Sequence, residues 1–197
     1  MATIGLKDLY FFPITKDDET GTTYEQGIRI GKAIQANVQP QYNTADLRAD
    51  DGVAETAESR GVTTVTVQTD DISKEAQAVI FGKKINEDGV LLDSEDDRPP
   101  YGALAFRSEK ANGKYRYVVL YKGKFTLPEA NYETKQETPA FQTPTIEGRF
   151  IRRNSDNLHG AQVDEDDESV DQSVIDGWFS APYEGNGDGE TGGGVEG

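Results

Sequence analysis

The stretch GIRIGKAIQANVQPQYNTADLRADDGVAETAESRGVTTVTVQT, residues 27–69, decides how the rest of the chain is read. It holds two extended runs about one turn, Asp51-Gly52, flanked by Asp50 and Val53. Asp-Gly between extended runs is a strong hairpin signal, because a two-residue type I′ loop needs φ > 0 at both positions and these residues adopt it at little cost. Counting outward from that turn predicts Arg48 opposite Glu55, Gln39 opposite Thr64, Val38 opposite Val65 and Ala36 opposite Val67. Side chains alternate across a strand, so this register sorts the inner half onto two faces. One is a core face of Ile28, Ile30, Ile34, Ala36, Val38, Val65 and Val67. The other carries Gln35, Asn37, Gln39, Gln41, Thr64, Thr66 and Gln68, polar but uncharged. A net one-residue bulge would set apolar residues of one arm against polar residues of the other, so no net offset is expected.

The outer half, from about Tyr42 to Arg60, places Ala45, Leu47, Ala49 and Ala54 on the opposite face in the same register. Pro40 and Gly61 weaken the ladder where the faces switch, which predicts a bend or paired bulges there. Each arm is also far longer than the usual strand of about five or six residues. A protruding hairpin of small and charged residues buries too little area to hold itself rigid. The plain reading is a surface hairpin that fluctuates; the sharper one is an assembly arm with Leu47, Arg48, Asp50, Asp51, Gly52, Val53 and Glu55 as its contact residues.

The chain of 197 residues suits one domain with an appendage. Hydrophobic residues make up 35% and charged ones 28%, enough for a core under a very polar surface. Twenty Lys and Arg against 36 Asp and Glu give a net charge of −16. Affinity for nucleic acid comes from phosphate neutralisation by cations, so such a chain repels nucleic acid and is no DNA binder in the usual sense, though it could border DNA without holding it. The absence of cysteine excludes disulfides and thiolate metal sites. Residues 1–17 carry neither a basic segment nor a long apolar run, and no stretch approaches 18 apolar residues. Neither a signal peptide nor a membrane span is expected, and the protein reads as one made in the cytoplasm.

Leu9, Tyr10, Phe11, Phe12 and Ile14 form an apolar strand expected to end at Pro13 and a polar loop over 15–23. Ser73 caps a short helix with Ala76, Val79 and Ile80 on one face, ended by Gly82 and covering the sheet. Asp93, Glu95, Asp96 and Asp97 form an acidic loop closed by Pro99-Pro100. A second hairpin, 101–108 with 114–126, turns at Asn112-Gly113 and aligns Tyr115, Tyr117, Val119 and Tyr121 on one side. Residues 128–139 read as loop, 141–153 as a strand and 158–163 as a short one. A last helix is expected at a capping box, Ser169-x-x-Gln172, with Val170, Val174 and Trp178 on one stripe beside Ile175 and Phe179. Gly177 inside it costs about 1 kcal/mol, which packing of Trp178 and Phe179 must offset. The fold class is mainly β within α+β: a β-sandwich or barrel-like domain over residues 1–183 with a protruding hairpin and two flanking helices. Residues 184–197 read as a flexible Gly-rich acidic tail.

Catalytic chemistry finds little support. His159, the only histidine, stands in a predicted turn with no cysteine anywhere in the chain to partner it, and reads as solvent-exposed. The acidic run 164–168 fails the Ca²⁺-loop pattern, since Ser169 stands where Gly is needed and Ile175 where Glu is needed. It reads as a solvated patch at the helix entry. Gly185-Asn186-Gly187-Asp188-Gly189 joins no strand to a helix and lacks the phosphate-loop Lys. No cofactor, metal or catalytic residue is assigned.

Several stretches resemble the major tail proteins, or tail tube proteins, of long-tailed, non-contractile bacteriophages of Gram-positive hosts. They are Gly5-Leu6-Lys7-Asp8-Leu9-Tyr10-Phe11, Ala49-Asp50-Asp51-Gly52-Val53-Ala54-Glu55, Asn112-Gly113-Lys114-Tyr115-Arg116-Tyr117, Phe141-Gln142-Thr143-Pro144-Thr145-Ile146-Glu147-Gly148 and Trp178-Phe179. The resemblance runs from Gly5 to Tyr183 and leaves out the Gly-rich tail. It implies a structural virion protein without catalytic residues, forming homohexameric rings that stack into a tube through which DNA passes on ejection. Long hairpins would line the lumen, making Gln35, Asn37, Gln39, Gln41, Thr64, Thr66 and Gln68 the candidate lumen face. It further implies tail terminator, tape measure and distal tail proteins as partners, with DNA as non-specific cargo and no membrane. The competing class is an extracellular or surface β-sandwich binding module, which would stay monomeric and bind through its loops.

Overall fold

Strand-forming residues dominate, and a computed structural model describes residues 3–49, 52–127 and 143–185, with backbone alone at 45–49 and 52–57. In chain order the elements are β1 (Thr3–Asp18), β2 (Gly21–Tyr24), β3 (Ile28–Gly31), β4 (Ala33–Ala49), β5 (Gly52–Thr69), α1 (Lys74–Phe81), β6 (Lys84–Ile85), β7 (Leu91–Leu92), β8 (Gly102–Lys110), β9 (Tyr115–Thr126), β10 (Thr145–Ile151), β11 (Gly160–Asp164) and α2 (Gln172–Gly177). One antiparallel sheet runs β2-β1-β8-β9-β10-β5-β4, with β3 also on β1 and β11 also on β9, while β6 and β7 form a separate small ladder. It is not a closed barrel.

The sheet branches at β9. Residues Arg116–Leu120 pair with β11 and Lys122–Thr126 with β10 along the same edge. Between Leu104↔Leu120 and Gly102↔Gly123, β9 holds one residue more than β8. A bulge inverts the alternation of side chains beyond it. Tyr117, Val119 and Tyr121 therefore join one core cluster, whereas Leu120 and, past the bulge, Phe125 join the other.

The larger cluster lies under α1, where Ala76, Ile80 and Phe81 meet Phe11, Val67 and Phe150. Burying each such ring contributes roughly 1.5–3 kcal/mol. Ring packing alternates with glycine across the β9–β10 ladder: Phe150 is opposite Gly123, and Phe125 opposite Gly148. A Cβ on Gly123 would stand 2.3 Å from the Phe150 ring, so only glycine leaves room for it. Helix α1 forms as expected: the Ser73 hydroxyl accepts from Ala76 N at 3.2 Å, and Gly82 closes the helix at φ 69°.

The smaller cluster lies on the other face, where Ile175 and Trp178 of the α2 region pack on Phe12, Ala105, Tyr117 and Val119. Trp178 donates its indole N–H to the Val118 carbonyl at 3.4 Å. The expected stripe holds, but the expected cap does not. Asp171, not Ser169, caps α2 by accepting from Ser173 N at 2.9 Å, because the Ser169 hydroxyl donates to Asp167 instead. Gly177 is the last residue of α2, so it carries no interior penalty.

Other expectations shift. The first strand does not stop at Pro13: its ladder to β8 ends at Pro13↔Gly102, and from Ile14 onward β1 pairs with β2 instead. Proline needs no N–H partner at this handover, and its carbonyl accepts from Glu25 N at 2.8 Å. Ile28 and Ile30 belong to β3, which pairs with β1 rather than with the second arm of the hairpin. Ile34 is half exposed, not core, because it is the extra residue between the pairs Ala33↔Thr69 and Gln35↔Gln68. Residues 128–139, Phe141, Gln142 and 186–197 lie outside the described residues, so the expected loop, the start of the third strand and most of the tail are not tested.

Candidate functional site

The inner hairpin adopts the expected register. Gln35↔Gln68, Ala36↔Val67, Asn37↔Thr66, Val38↔Val65 and Gln39↔Thr64 are direct partners. Val65 and Val67 are buried, whereas Gln35, Asn37 and Gln39 are exposed. Thr64, Thr66 and Gln68 are half-buried because β10 flanks β5 on its other edge. The structure thus brings six of the seven candidate lumen residues onto one continuous face. Gln41 is exposed at a bulge, where it faces Gly61 and Val62 between the pairs Pro40↔Thr63 and Tyr42↔Arg60.

That bulge lies at the expected place, and a second follows: the pair Leu47↔Glu55 gives way to Arg48↔Val53, with Ala54 the extra residue. The expected pairing of Arg48 with Glu55 is therefore wrong. So is the expectation of no net offset, since two single-residue bulges on β5 displace the outer end by two. Because the side-chain period is two, the two slips together leave the facing of the inner half unchanged. The last pair is Ala49↔Gly52, so Gly52 is a strand residue rather than half of the loop. Asp50 and Asp51 lie outside the described residues. Of the candidate assembly contacts, Leu47, Arg48, Gly52, Val53 and Glu55 are placed by their backbone on this outer ladder.

Partners of β5 define the arm. Strand β10 covers it only from Thr63 to Gln68, so from there to Gly52 its only ladder among the described residues is with β4. At about 3.3 Å per residue, the ten residues from Pro40 to Ala49 make a two-stranded ribbon roughly 30 Å long.

The polar face extends beyond the hairpin in a way that no local signal reveals. Thr64 is opposite Arg149, which is opposite Lys124; Thr66 is opposite Glu147, which is opposite Thr126. Sequence reading missed these charged residues because the neighbour of β10 is a long-range fact. Their alternation with Ile146, Gly148 and Phe150 was the available signal.

The acidic run 164–168 is only in part a solvated patch: Asp166, Asp167 and Glu168 are exposed, but 164–166 are tied to cations. Asp164 accepts from Arg116 Nε at 2.6 Å and Nη2 at 2.7 Å and from Lys110 Nζ at 3.1 Å. Lys110 also bonds Asp166, Asn112 donates to Asp166 at 2.8 Å, and Lys114 meets Glu165 at 3.1 Å. The run clamps the β8–β9 turn. Arg116 above all, with Lys110, holds the Asp164 carboxyl well below its ordinary value of 3.8, against its own partial burial. A carboxyl depressed on folding stabilises fully above its unfolded value, and that stabilisation is lost as pH falls toward the folded value. The melting temperature should therefore drop steeply below about pH 4. Asp164→Asn should lower it at neutral pH and flatten the acid slope. Thermal unfolding by circular dichroism from pH 2 to 7 checks this, and an unchanged slope in the variant would refute the clamp.

His159 is half-buried rather than exposed, and its Nδ1 is buried without a hydrogen-bond partner. Burial first, then Arg60 and Arg152, lowers its pKa, which keeps the imidazole neutral. Among the described residues no group of three or more His, Cys, Asp or Glu side chains is placed to hold a metal ion. No helix among them is long and apolar enough to cross a membrane.

Comparison with known proteins returns one family, described as "Phage tail tube protein", whose model matches residues 1–157. No curated protein matches the chain.

Proposed function

Since the chain belongs to the phage tail tube protein family, it is a structural, non-enzymatic subunit of a virion tail that assembles with itself and with other tail proteins, and from that premise we propose its geometry of assembly. Six copies close into a ring, the rings stack into the tube, and DNA passes through the lumen on ejection. The observation that carries this reading is the ribbon: a two-stranded arm roughly 30 Å long, beyond the cover of β10, needs a second surface to rest on. Residues 47–55 at its outer end, Leu47, Arg48, Asp50, Asp51, Gly52, Val53 and Glu55, form the contact to the next copy. The uncharged rows Gln35↔Gln68, Asn37↔Thr66 and Gln39↔Thr64, with Gln41, line the channel, where amides and hydroxyls give phosphates no row of cations to bind. Residues 1–183 are the tube-forming unit and 184–197 an appendage. Tail terminator, tape measure and distal tail proteins are its partners at the tube ends and within it. The family does not favour a monomeric surface binding module.

Negative-stain imaging of the purified chain tests the proposal. Six-fold rings or tubes with an open centre are the expected result. A chain that stays monomeric at high concentration would refute it.

A further inference from the structure

The exposed face of the sheet carries a conflict that the tube reading does not explain. Lys124 on β9 and Arg149 on β10 are direct cross-strand partners, and both are exposed. Like charges directly opposite destabilise a sheet. A chain with 36 acidic residues against 20 basic ones has every opportunity to neutralise such a pair. Yet among the described residues neither cation has a carboxylate within ion-pair distance. Glu147, on the same face, is opposite Thr126 and so one diagonal step from Lys124. The other neighbour of Arg149 is the neutral Thr64. Lys122, by contrast, is committed to the buried Asp17 at 2.5 Å. Among the described residues Lys124 has only the Tyr101 ring, with its ammonium 5.4 Å from the centroid.

The complementary feature is the acidic loop at 93–97. Its own bonds hold it in shape: Ser94 N donates to the Asp97 carboxylate at 3.0 Å, and Arg98 donates to the carbonyls of Glu95 and Asp97 at 2.8 and 3.0 Å. Asp93 is paired with Lys83 at 3.1 Å. This leaves the Glu95 and Asp96 carboxylates exposed and without a cation among the described residues. Of the other acidic run, 164–168, residues 164–166 are committed to Lys110, Lys114 and Arg116 and Asp167 accepts from Ser169, which leaves Glu168 alone there. A preformed loop pays little ordering entropy on docking.

We propose that the Lys124–Arg149 pair is an intersubunit docking site for the acidic loop 93–97 of a second copy of this chain, received through Glu95 and Asp96. The proposal rests on the tube reading and names a contact within it. The two cations lie beside the uncharged rows, so covering them with a neighbour's acids also removes this cationic pair from passing phosphates.

The chain has no cysteine, which makes the contact testable by crosslinking. Copies carrying Arg149→Cys, mixed with tagged copies carrying Asp96→Cys, assembled and treated with a short bismaleimide, should give a mixed covalent dimer on a denaturing gel. In parallel, Lys124→Glu with Arg149→Glu should raise the protein concentration needed for polymerisation at least about tenfold, with the circular dichroism spectrum unchanged. Adding Glu95→Lys and Asp96→Lys to the same chain should restore it. Assembled tubes without the mixed crosslink overturn the proposal and leave the tube reading intact. So does charge reversal that spares polymerisation while changing DNA retention, which would make phosphate the ligand. A wild-type chain that never polymerises overturns both.

Discussion

Deleting residues 46–57 and rejoining the arms with a tight turn should leave a folded monomer that no longer polymerises. The hairpin residues in the core are Val65 and Val67, with Ala36 and Val38 packed against them, and all lie on the inner half. The shortened ribbon keeps the pairs from Ala33↔Thr69 to Pro40↔Thr63 and the whole β5–β10 ladder. Surface changes away from the core usually alter stability by less than about 0.5 kcal/mol, so the melting temperature should scarcely move. Assembly should respond very differently, because the deleted residues include all seven proposed arm contacts. Gel filtration at high concentration, alongside thermal unfolding by circular dichroism, separates the two effects. A truncated chain that unfolds would show that the outer ribbon belongs to the domain, and one that still polymerises would remove it from the assembly contact.

How much of this was legible in the sequence depends on how far apart the interacting residues are. Alternation within 63–68 was enough to place Val65 and Val67 inside and Thr64 and Thr66 on the polar face, because the signal is local and of period two. The bulge at Gly61 was legible because Pro40 and Gly61 mark a weak ladder. The one at Ala54 was not, since neither a proline nor a glycine marks it, and together the two bulges moved the loop by one residue. Ile34 read as core from the same alternation and failed, because the register slips at that residue. The clamp on Asp164 was hidden because it depends on β11 lying beside β9, which brings Arg116 to a residue 48 positions away. For the same reason the Lys124–Arg149 pair emerged only once β10 was seated between β9 and β5.

The branch at β9 ties these observations to the candidate site. Its bulge turns Phe125 into the core under α1 and thereby turns Lys124 out to the polar face. The face that α2 covers over Tyr117 and Val119 is therefore continuous with a polar face over β10, β5 and β4 that no helix among the described residues covers. One side of a single sheet thus serves as a packed layer at one end and as an open surface at the other. On the open part the charge changes along the sheet, with Lys124 and Arg149 beside Glu147 on β9 and β10 and neutral residues from Thr64 to Gln39.

That neutrality can be broken without touching the core. Gln35→Lys together with Asn37→Lys should permit tubes to assemble yet slow DNA ejection, with the defect relieved as salt rises. Both side chains are exposed on β4, two residues apart and so on the same face, and their partners Gln68 and Thr66 are neutral. Lysine can extend from these positions into solvent, so folding and polymerisation should be spared. Each substitution recurs in every copy along the tube, and the affinity for phosphate grows with the number of cations that meet it. Raising ionic strength weakens such contacts steeply, because binding releases the counterions that salt supplies. Slow ejection at low salt that recovers at high salt is the expected pattern, whereas Gln35→Glu with Asn37→Glu should leave ejection fast at both. The measurement is ejection rate against ionic strength for phage assembled with each variant. Fast, salt-insensitive ejection through assembled lysine tails would place this face away from the DNA.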